Sequence, residues 1–310
     1  MKQHYVPQLL LRRFAGSTGG DHLFVYDKHT DNIFQAAISN AAAENGFYDF
    51  EVNGVKHSLE KVPLEMLETR TGATIKTLIT DERTTHISAE DKSWVALFAA
   101  TQLLRTRREQ SRSLALNNAL RDATIAVGGN PDKTTIEVGG DLVKYAVLTP
   151  EENRLYCLRK LGPLAETLAK HFDNKLWVLH KTSIDDPFLI GDSPITMYNS
   201  LNQHSFKSTI GVAVPGIEIY LPISSTLTLG FLCPTIRTFF RSTGLAAEWY
   251  LNALDGTRPM PMTPETTKHL NSLQVAHAER FVYGNSDKRF DLVQQIIAAD
   301  PAFRTGLKDS

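Results

Sequence analysis

The chain has 310 residues, 42% of them hydrophobic and 22% charged, with a net charge of −1 at neutral pH. That length and balance suit a folded chain with a full core rather than a disordered one, and the near-zero charge gives no overall pull toward nucleic acid or an anionic membrane. Its two cysteines, Cys157 and Cys233, are far apart and support neither a disulfide framework nor a zinc–thiolate site.

The N-terminus enters an amphipathic pattern directly, without the apolar core of a signal peptide. No apolar run approaches the ~18 residues of a membrane span, so a cytosolic chain with no membrane partner is expected. Pro7 suits a first helical position, and Leu9, Leu10, Leu11 and Phe14 form an apolar face up to Gly16, which predicts a short helix. A turn at 17–20 leads to strands at 22–26 and 33–38, a hairpin around the polar stretch 27–32. Residues 41–50 show no period, carry the turn signal Asn45-Gly46, and read as an ordered connection.

Leu64, Leu67, Ile75 and Leu78 fall at helical intervals and predict a helix over 59–79, with Pro63 favouring a start or kink and Glu60, Glu65 and Glu68 on its surface. Ser88-Ala-Glu-Asp91 then opens the longest helix, read as one piece to about residue 127, where Gly128-Gly-Asn-Pro131 stops it. A polar loop or weak hairpin to about residue 140 precedes Thr149-Pro-Glu-Glu152, a well-marked start for a helix to about residue 171. Strands follow at 175–180, 187–191, 217–221 and 227–232, and helices return from 264 to 276 and from 290 to 299. The pattern is α+β: a mainly helical N-terminal half with a small hairpin, packed on a strand-rich C-terminal half closed by helices. The division falls at 1–172 and 173–310, the two parts making one functional unit.

The long central helix carries polar side chains into its own apolar face. From Phe98, Gln102 is advanced four residues and Arg105 seven, so at about 100° per residue both lie within roughly 40° of Phe98. A buried amide or guanidinium without partners costs several kcal/mol, so the fold must bring acceptors to them. The planar fork of arginine suits a carboxylate or a phosphate, and the carboxylate at hand is Glu60 or Glu68. These two stand eight residues apart, about 80° around a regular helix. Arg107 extends the local charge, either as a solvated patch or as a contact to a phosphate backbone.

His4, left outside the first helix by Pro7 and followed by Gln8, either packs locally or serves as a base or metal ligand. Glu44, before Asn45-Gly46-Phe47-Tyr48, is a carboxylate held on a tight turn or an ordinary exposed acid. Asp192 follows an apolar strand and precedes Ser193-Pro194; it is a catalytic acid at a strand end or an Asx-turn carboxylate capping backbone N–H groups. Asn271 and Gln274 share one helix face. The chain lacks a phosphate-binding P-loop, a Gly-x-Gly-x-x-Gly turn, a Gly-x-Ser-x-Gly elbow and a His-Glu-x-x-His pair, which disfavours the common nucleotide, hydrolase and zincin readings.

His4-Tyr-Val-Pro-Gln8 followed by Leu-Leu-Leu-Arg-Arg-Phe14, then Glu44-Asn-Gly-Phe-Tyr48, Leu59-Glu60 with Glu68, Gln102-Leu-Leu-Arg105-Thr106 and Gly191-Asp192-Ser-Pro194 together resemble the bacterial domain-of-unknown-function family numbered 4238. Where that family more often has Ser-Asp, this chain has Gly191-Asp192. The resemblance covers most of the chain and implies one functional unit with these polar residues as site candidates, but no reaction. A role in bacterial defence or toxin action is an expectation tied to the resemblance alone.

His4, Glu44, Glu68, Gln102, Arg105 and Asp192 are therefore expected to line one polar cleft as catalytic residues, with Gln8, Arg107 and Asn271 binding substrate. In the first reading His4, Glu44 and Asp192 hold a divalent metal that activates water in a phosphodiesterase or nuclease acting on nucleic acid or nucleotide. In the second, the same residues form a satisfied polar core of a non-catalytic binding module, favoured if Arg105 pairs with Glu60 or Glu68 and no cavity opens. In the third, a metal-free transferase holds a nucleotide phosphate on Arg105 with Glu44 as base.

Overall fold

The computed structural model describes residues 2–16, 20–133, 135–138, 141–144, 148–201, 210–243 and 248–305. The turn expected at 17–20 lies mostly outside them. Strand β1 (Lys2–His4) leads to helix α1 (Gln8–Leu11) and a 3-10 turn (Arg12–Phe14). Pro7 stands before the helix rather than in its first position. Its φ of −59° with ψ of 142° is extended, and its carbonyl starts the helix by accepting the N–H groups of Leu10 and Leu11 at 3.0 and 3.2 Å. The expected hairpin is β2 (His22–Asp27) and β3 (Asn32–Ala37).

The stretch expected as a connection instead holds β4 (Ala43–Asn45) and the start of β5 (Asp49–Val52), which turns through Asn53-Gly54 into β6 (Val55–Ser58). Both turn residues have positive φ, 52° and 78°, as a tight two-residue hairpin demands. β4 pairs antiparallel with β1, Gln3 opposite Glu44 and His4 opposite Ala43.

A π-helical turn at Glu60–Leu64, with Pro63 inside it, precedes α2 (Glu65–Asp81). Where one long central helix is predicted the chain makes two, α3 (Ala89–Leu104) and α4 (Arg107–Ala126). Arg105 closes α3, and Thr106, extended at φ −90° and ψ 159°, caps α4 through its hydroxyl. Thr106-Arg-Arg-Glu109 is the Ser/Thr-x-x-Glu pattern of a helix start, and it interrupts an apolar period that continues past it.

A 3-10 turn (Pro131–Lys133) and the weak hairpin β7 (Thr135–Val138) and β8 (Asp141–Lys144) lead to α5 (Pro150–Asp173), which begins with the Thr149–Glu152 capping box. Then come β9 (Leu176–Lys181), β10 (Ile190–Gly191), β11 (Thr196–Asn199), β12 (Ile217–Pro222) and β13 (Leu227–Leu232). The strand expected at 187–191 shrinks to two residues, because the N–H of Leu189 is taken by the Asn271 side chain and that of Phe188 by the Ser225 carbonyl. Two helices absent from the sequence reading follow, α6 (Pro234–Thr243) and α7 (Glu248–Leu254). Last come β14 (Met260–Pro261), α8 (Pro264–His277), β15 (Phe281–Gly284) and α9 (Asp291–Ala299).

The fold is α+β. A five-stranded sheet runs β11-β12-β13-β9-β14, and a four-stranded sheet runs β10-β15-β2-β3, drawing strands from both ends of the chain. The main core joins the first sheet to α3 and α5, where Phe231 meets Phe172 and Trp177 edge-on at 5.0 Å. No helix among the described residues is long and apolar enough to cross a membrane.

Candidate functional site

The apolar face of α3 delivers Gln102 and Arg105 inward, as the 3.6-residue period requires, and the N-terminal segment lies across them. Gln102, fully buried, donates from Nε2 to the Tyr5 carbonyl at 2.7 Å and accepts from Arg105 Nε at 2.9 Å. Arg105, its side chain only 1% exposed, donates from Nη1 to Glu68 Oε1 at 2.9 Å; Glu68 is 25% exposed and forms the wet edge of the group. The Tyr48 hydroxyl donates to the His4 carbonyl at 3.2 Å and lies 3.5 Å from the Arg105 carbonyl. His4 Nε2 sits 3.4 Å from both the Ile38 carbonyl and Gln8 Nε2. The Gln8 side-chain Oε1 accepts from Arg12 Nη2 at 2.9 Å.

Glu60 joins this centre through the π turn. The Leu64 N–H reaches back five residues to the Leu59 carbonyl at 3.2 Å. This wider turn closes much of the angle that a regular helix would leave between Glu60 and Glu68. Among the described residues, two buried side-chain atoms of the centre have no hydrogen-bond partner: Arg105 Nη2 and Glu60 Oε2. Burial pushes the Glu60 carboxyl up and the charge of Glu68 adds to it, against the pull of Arg105. Burial also opposes the Arg105 charge, but Tyr48 and Glu68 outweigh it.

Burial holds the His4 imidazole below its usual value, against the Ile38 carbonyl and Glu68. The folded chain therefore favours neutral His4, while the unfolded chain takes up its proton near the ordinary value of about 6.5. Stability tied to His4 is present above that pH and is lost as pH falls below it toward the lower folded value. Urea unfolding at a series of pH values is expected to show a shallower acid loss in His4→Gln than in wild type; parallel curves would remove His4 from the acid response.

Asp192 anchors a different arrangement. Its Oδ1 accepts the N–H of Glu279 at 2.7 Å, and its Oδ2 accepts those of Arg280 and Phe281, both at 2.8 Å. Burial raises its carboxyl and these three amides pull it back. On the other side of the same turn, fully buried Lys28 donates from Nζ to the carbonyls of Val275 and Ala278 at 2.8 and 2.5 Å. Burial lowers this ammonium to about 8. An anion on the free amides and a cation on the last carbonyls of α8 together fix the α8–β15 turn.

The neighbouring amides work the same way. Asn271 bridges the Leu189 N–H (2.8 Å) and the Pro187 carbonyl (3.1 Å), and Gln274 bridges the Gly191 N–H and the Pro194 carbonyl, both at 2.9 Å. Gly191 belongs to this close approach, since a Cβ there would stand 3.0 Å from the Gln274 carbonyl oxygen and 3.1 Å from the Ala278 methyl.

The structure thus brings together His4, Gln8, Glu68, Gln102 and Arg105, and sets Asp192 and Asn271 in the α8 network. Glu44 forms an ion pair with Arg107 beside them. Tyr5 links the groups: its carbonyl receives Gln102, while its hydroxyl, raised chiefly by burial, feels the charges of Asp192, Arg107 and Glu44. Among the described residues, the six expected catalytic side chains divide among these arrangements: His4, Glu68, Gln102 and Arg105 in one, Glu44 with Arg107, and Asp192 on the α8–β15 turn. His4, Glu44 and Asp192 do not fit a shared metal ion, because the Asp192 oxygens are taken by amides and Glu44 by Arg107. Among the described residues no group of three or more His, Cys, Asp or Glu side chains is placed to hold one.

Glu60, Tyr48, Tyr5 and Lys28 were not among the expected site residues. Glu60 carried a signal in its spacing from Glu68, whereas Lys28 looked like an ordinary turn residue beside Asp27. Two surface depressions of about 310 and 380 Å³ lie elsewhere, one along Lys61, Glu65 and Arg70, the other by Lys181, Trp249 and Arg258.

A family model described as protein of unknown function (DUF4238) matches residues 2–288. Comparison with curated proteins and with solved structures gives no match.

Proposed function

We propose, from the premise that this chain belongs to the DUF4238 family, that it is a hydrolase of phosphodiesters, with nucleic acid or a nucleotide as substrate and the centre of His4, Glu60, Glu68, Gln102 and Arg105 as its site. The observation that carries this is the uncommitted Nη2 of Arg105. A structural arginine–carboxylate pair in a dry site commonly engages both terminal nitrogens in a fork. Here Glu68 takes Nη1 alone and Gln102 takes Nε, which leaves a fixed, charged donor for a phosphoryl oxygen. Gln102 and Glu68 hold the guanidinium in place, and such pre-set donors stabilise charge that develops in a transition state. The divalent ion expected at His4, Glu44 and Asp192 has no part in this proposal, since those donors are committed elsewhere.

The test is hydrolysis of bis(p-nitrophenyl) phosphate and of single-stranded RNA and DNA, with and without a chelator, by wild type and Arg105→Lys. Turnover in wild type that survives the chelator and falls at least ~100-fold in folded Arg105→Lys is expected, since a point charge cannot replace the fork. No turnover of any of these substrates would reject the proposal.

One observation favours a second reading, a non-catalytic binding module with a structural polar core. Arg105 is paired with Glu68, and neither surface depression is lined by a residue of the centre. Under it, Arg105 substitutions change stability alone.

A further inference from the structure

Resting on that hydrolase reading, we propose that Glu60 is the catalytic base of the centre: its Oε2 and one of the two N–H groups of Arg105 Nη2 together hold one hydroxyl oxygen, that of the attacking water, the second N–H being left for the phosphoryl oxygen, and Glu60 takes the water's proton. Three observations converge. Both atoms are buried, both lack partners among the described residues, and one is an acceptor while the other is a donor. A hydroxyl is the smallest group that satisfies the pair, accepting from the guanidinium through its oxygen and donating its proton to the carboxylate. Each charge acts on the other, which places the two groups in one electrostatic neighbourhood.

The local backbone is built for this. Glu60 opens a π-helical turn that contains a proline, a rare conformation that often marks a site where a side chain is re-aimed. Were the same eight residues regular helix, Glu60 would stand about 80° away from Glu68. The turn brings it to the buried side, where removal from water strengthens it as a base. Glu68 holds Arg105 and is a positioning residue. His4, kept neutral by burial, adds no competing charge.

The step balances without a co-reactant. The O–H bond of the held water breaks and its proton passes to Glu60. The oxygen forms a new bond to phosphorus, and the bond from phosphorus to the ester oxygen breaks. The leaving alkoxide takes a proton from solvent, and Glu60 returns its proton to solvent.

The experiment compares full-length wild type, Glu60→Gln, Glu60→Asp and the exposed control Glu65→Gln on bis(p-nitrophenyl) phosphate across pH, with the thermal midpoint of each recorded. Glu60→Gln is expected to lower kcat at least ~100-fold with KM within about 2-fold, and to abolish the ascending acid limb of the pH–rate profile. That limb should lie above the ordinary glutamate range in wild type. Glu60→Asp should keep the limb with reduced kcat, and Glu65→Gln should match wild type. An active wild type whose limb persists in folded Glu60→Gln would overturn the role of Glu60 and leave the hydrolase reading standing. If Glu60→Gln does not fold, Glu60→Asp decides: full activity there overturns the assignment. An inactive wild type would overturn both.

Discussion

Asp192→Ala is expected to lower the free energy of unfolding by about 4 kcal/mol, read from the shift of the urea midpoint. Three amides, those of Glu279, Arg280 and Phe281, would lose the carboxylate that accepts from them in one substitution. An unsatisfied buried donor costs about 1–3 kcal/mol, and the sum is reduced because the turn is half-buried and water can reach part of it. The damage would spread, since β15 begins at Phe281 and lies between β10 and β2 in the four-stranded sheet. Lys28 would keep its carbonyls but lose the facing charge that favours its ammonium form. Asp192→Asn retains one oxygen and turns an NH2 group toward an amide, for an expected loss of about 2 kcal/mol. An Asp192→Ala protein within about 0.5 kcal/mol of wild type would show that the carboxylate does not pin this turn.

Arg105→Leu has the second large effect, about 3 kcal/mol. Removing one partner of a buried pair usually costs about 3–5 kcal/mol because the other charge stays behind without compensation. Glu68, a quarter exposed, can turn to water, whereas the fully buried Gln102 cannot replace its donor. Arg105→Leu combined with Glu68→Leu should therefore lose less than the sum of the single changes, with a coupling of about 1–2 kcal/mol in a double-mutant cycle. Strict additivity would mean that the 2.9 Å contact contributes nothing to folding.

Much of the polar centre was legible because it depends on local period. The spacing of Phe98, Gln102 and Arg105 places them on one face of a helix, and the structure puts them in one buried network with the carboxylate of Glu68. What defeated the sequence reading was each departure from a regular helix. Thr106 stops α3 and starts α4 with its own hydroxyl as cap, and an apolar period running through both hides the break. The π turn at Glu60 removes most of the angle that eight residues of ideal helix would impose, so the spacing left Glu60 and Glu68 as alternatives where the structure brings both toward Arg105.

The remaining losses are matters of distance along the chain. Asp192 was readable as a cap for backbone N–H groups, but the amides it caps belong to a turn far downstream rather than to its own. β4 exists because β1 lies beside it, and three residues with no period carry no local sign of that. The metal set was assembled by residue type alone. His4, Glu44 and Asp192 end with a carbonyl, an arginine and three amides respectively, partners that no spacing between the three could foretell.

The central claim is that the free Nη2 of Arg105 is there for a phosphoryl oxygen. Nitrogen-15 NMR of the guanidinium, recorded while a nuclease-resistant phosphorothioate dinucleotide is titrated in, tests it most directly. A saturable shift of the Arg105 side-chain signal, assigned by its disappearance in Arg105→Lys, is the expected result. An Arg105 signal that stays fixed in a folded protein up to millimolar dinucleotide would contradict it and leave the centre as a structural staple between the N-terminal segment and α3.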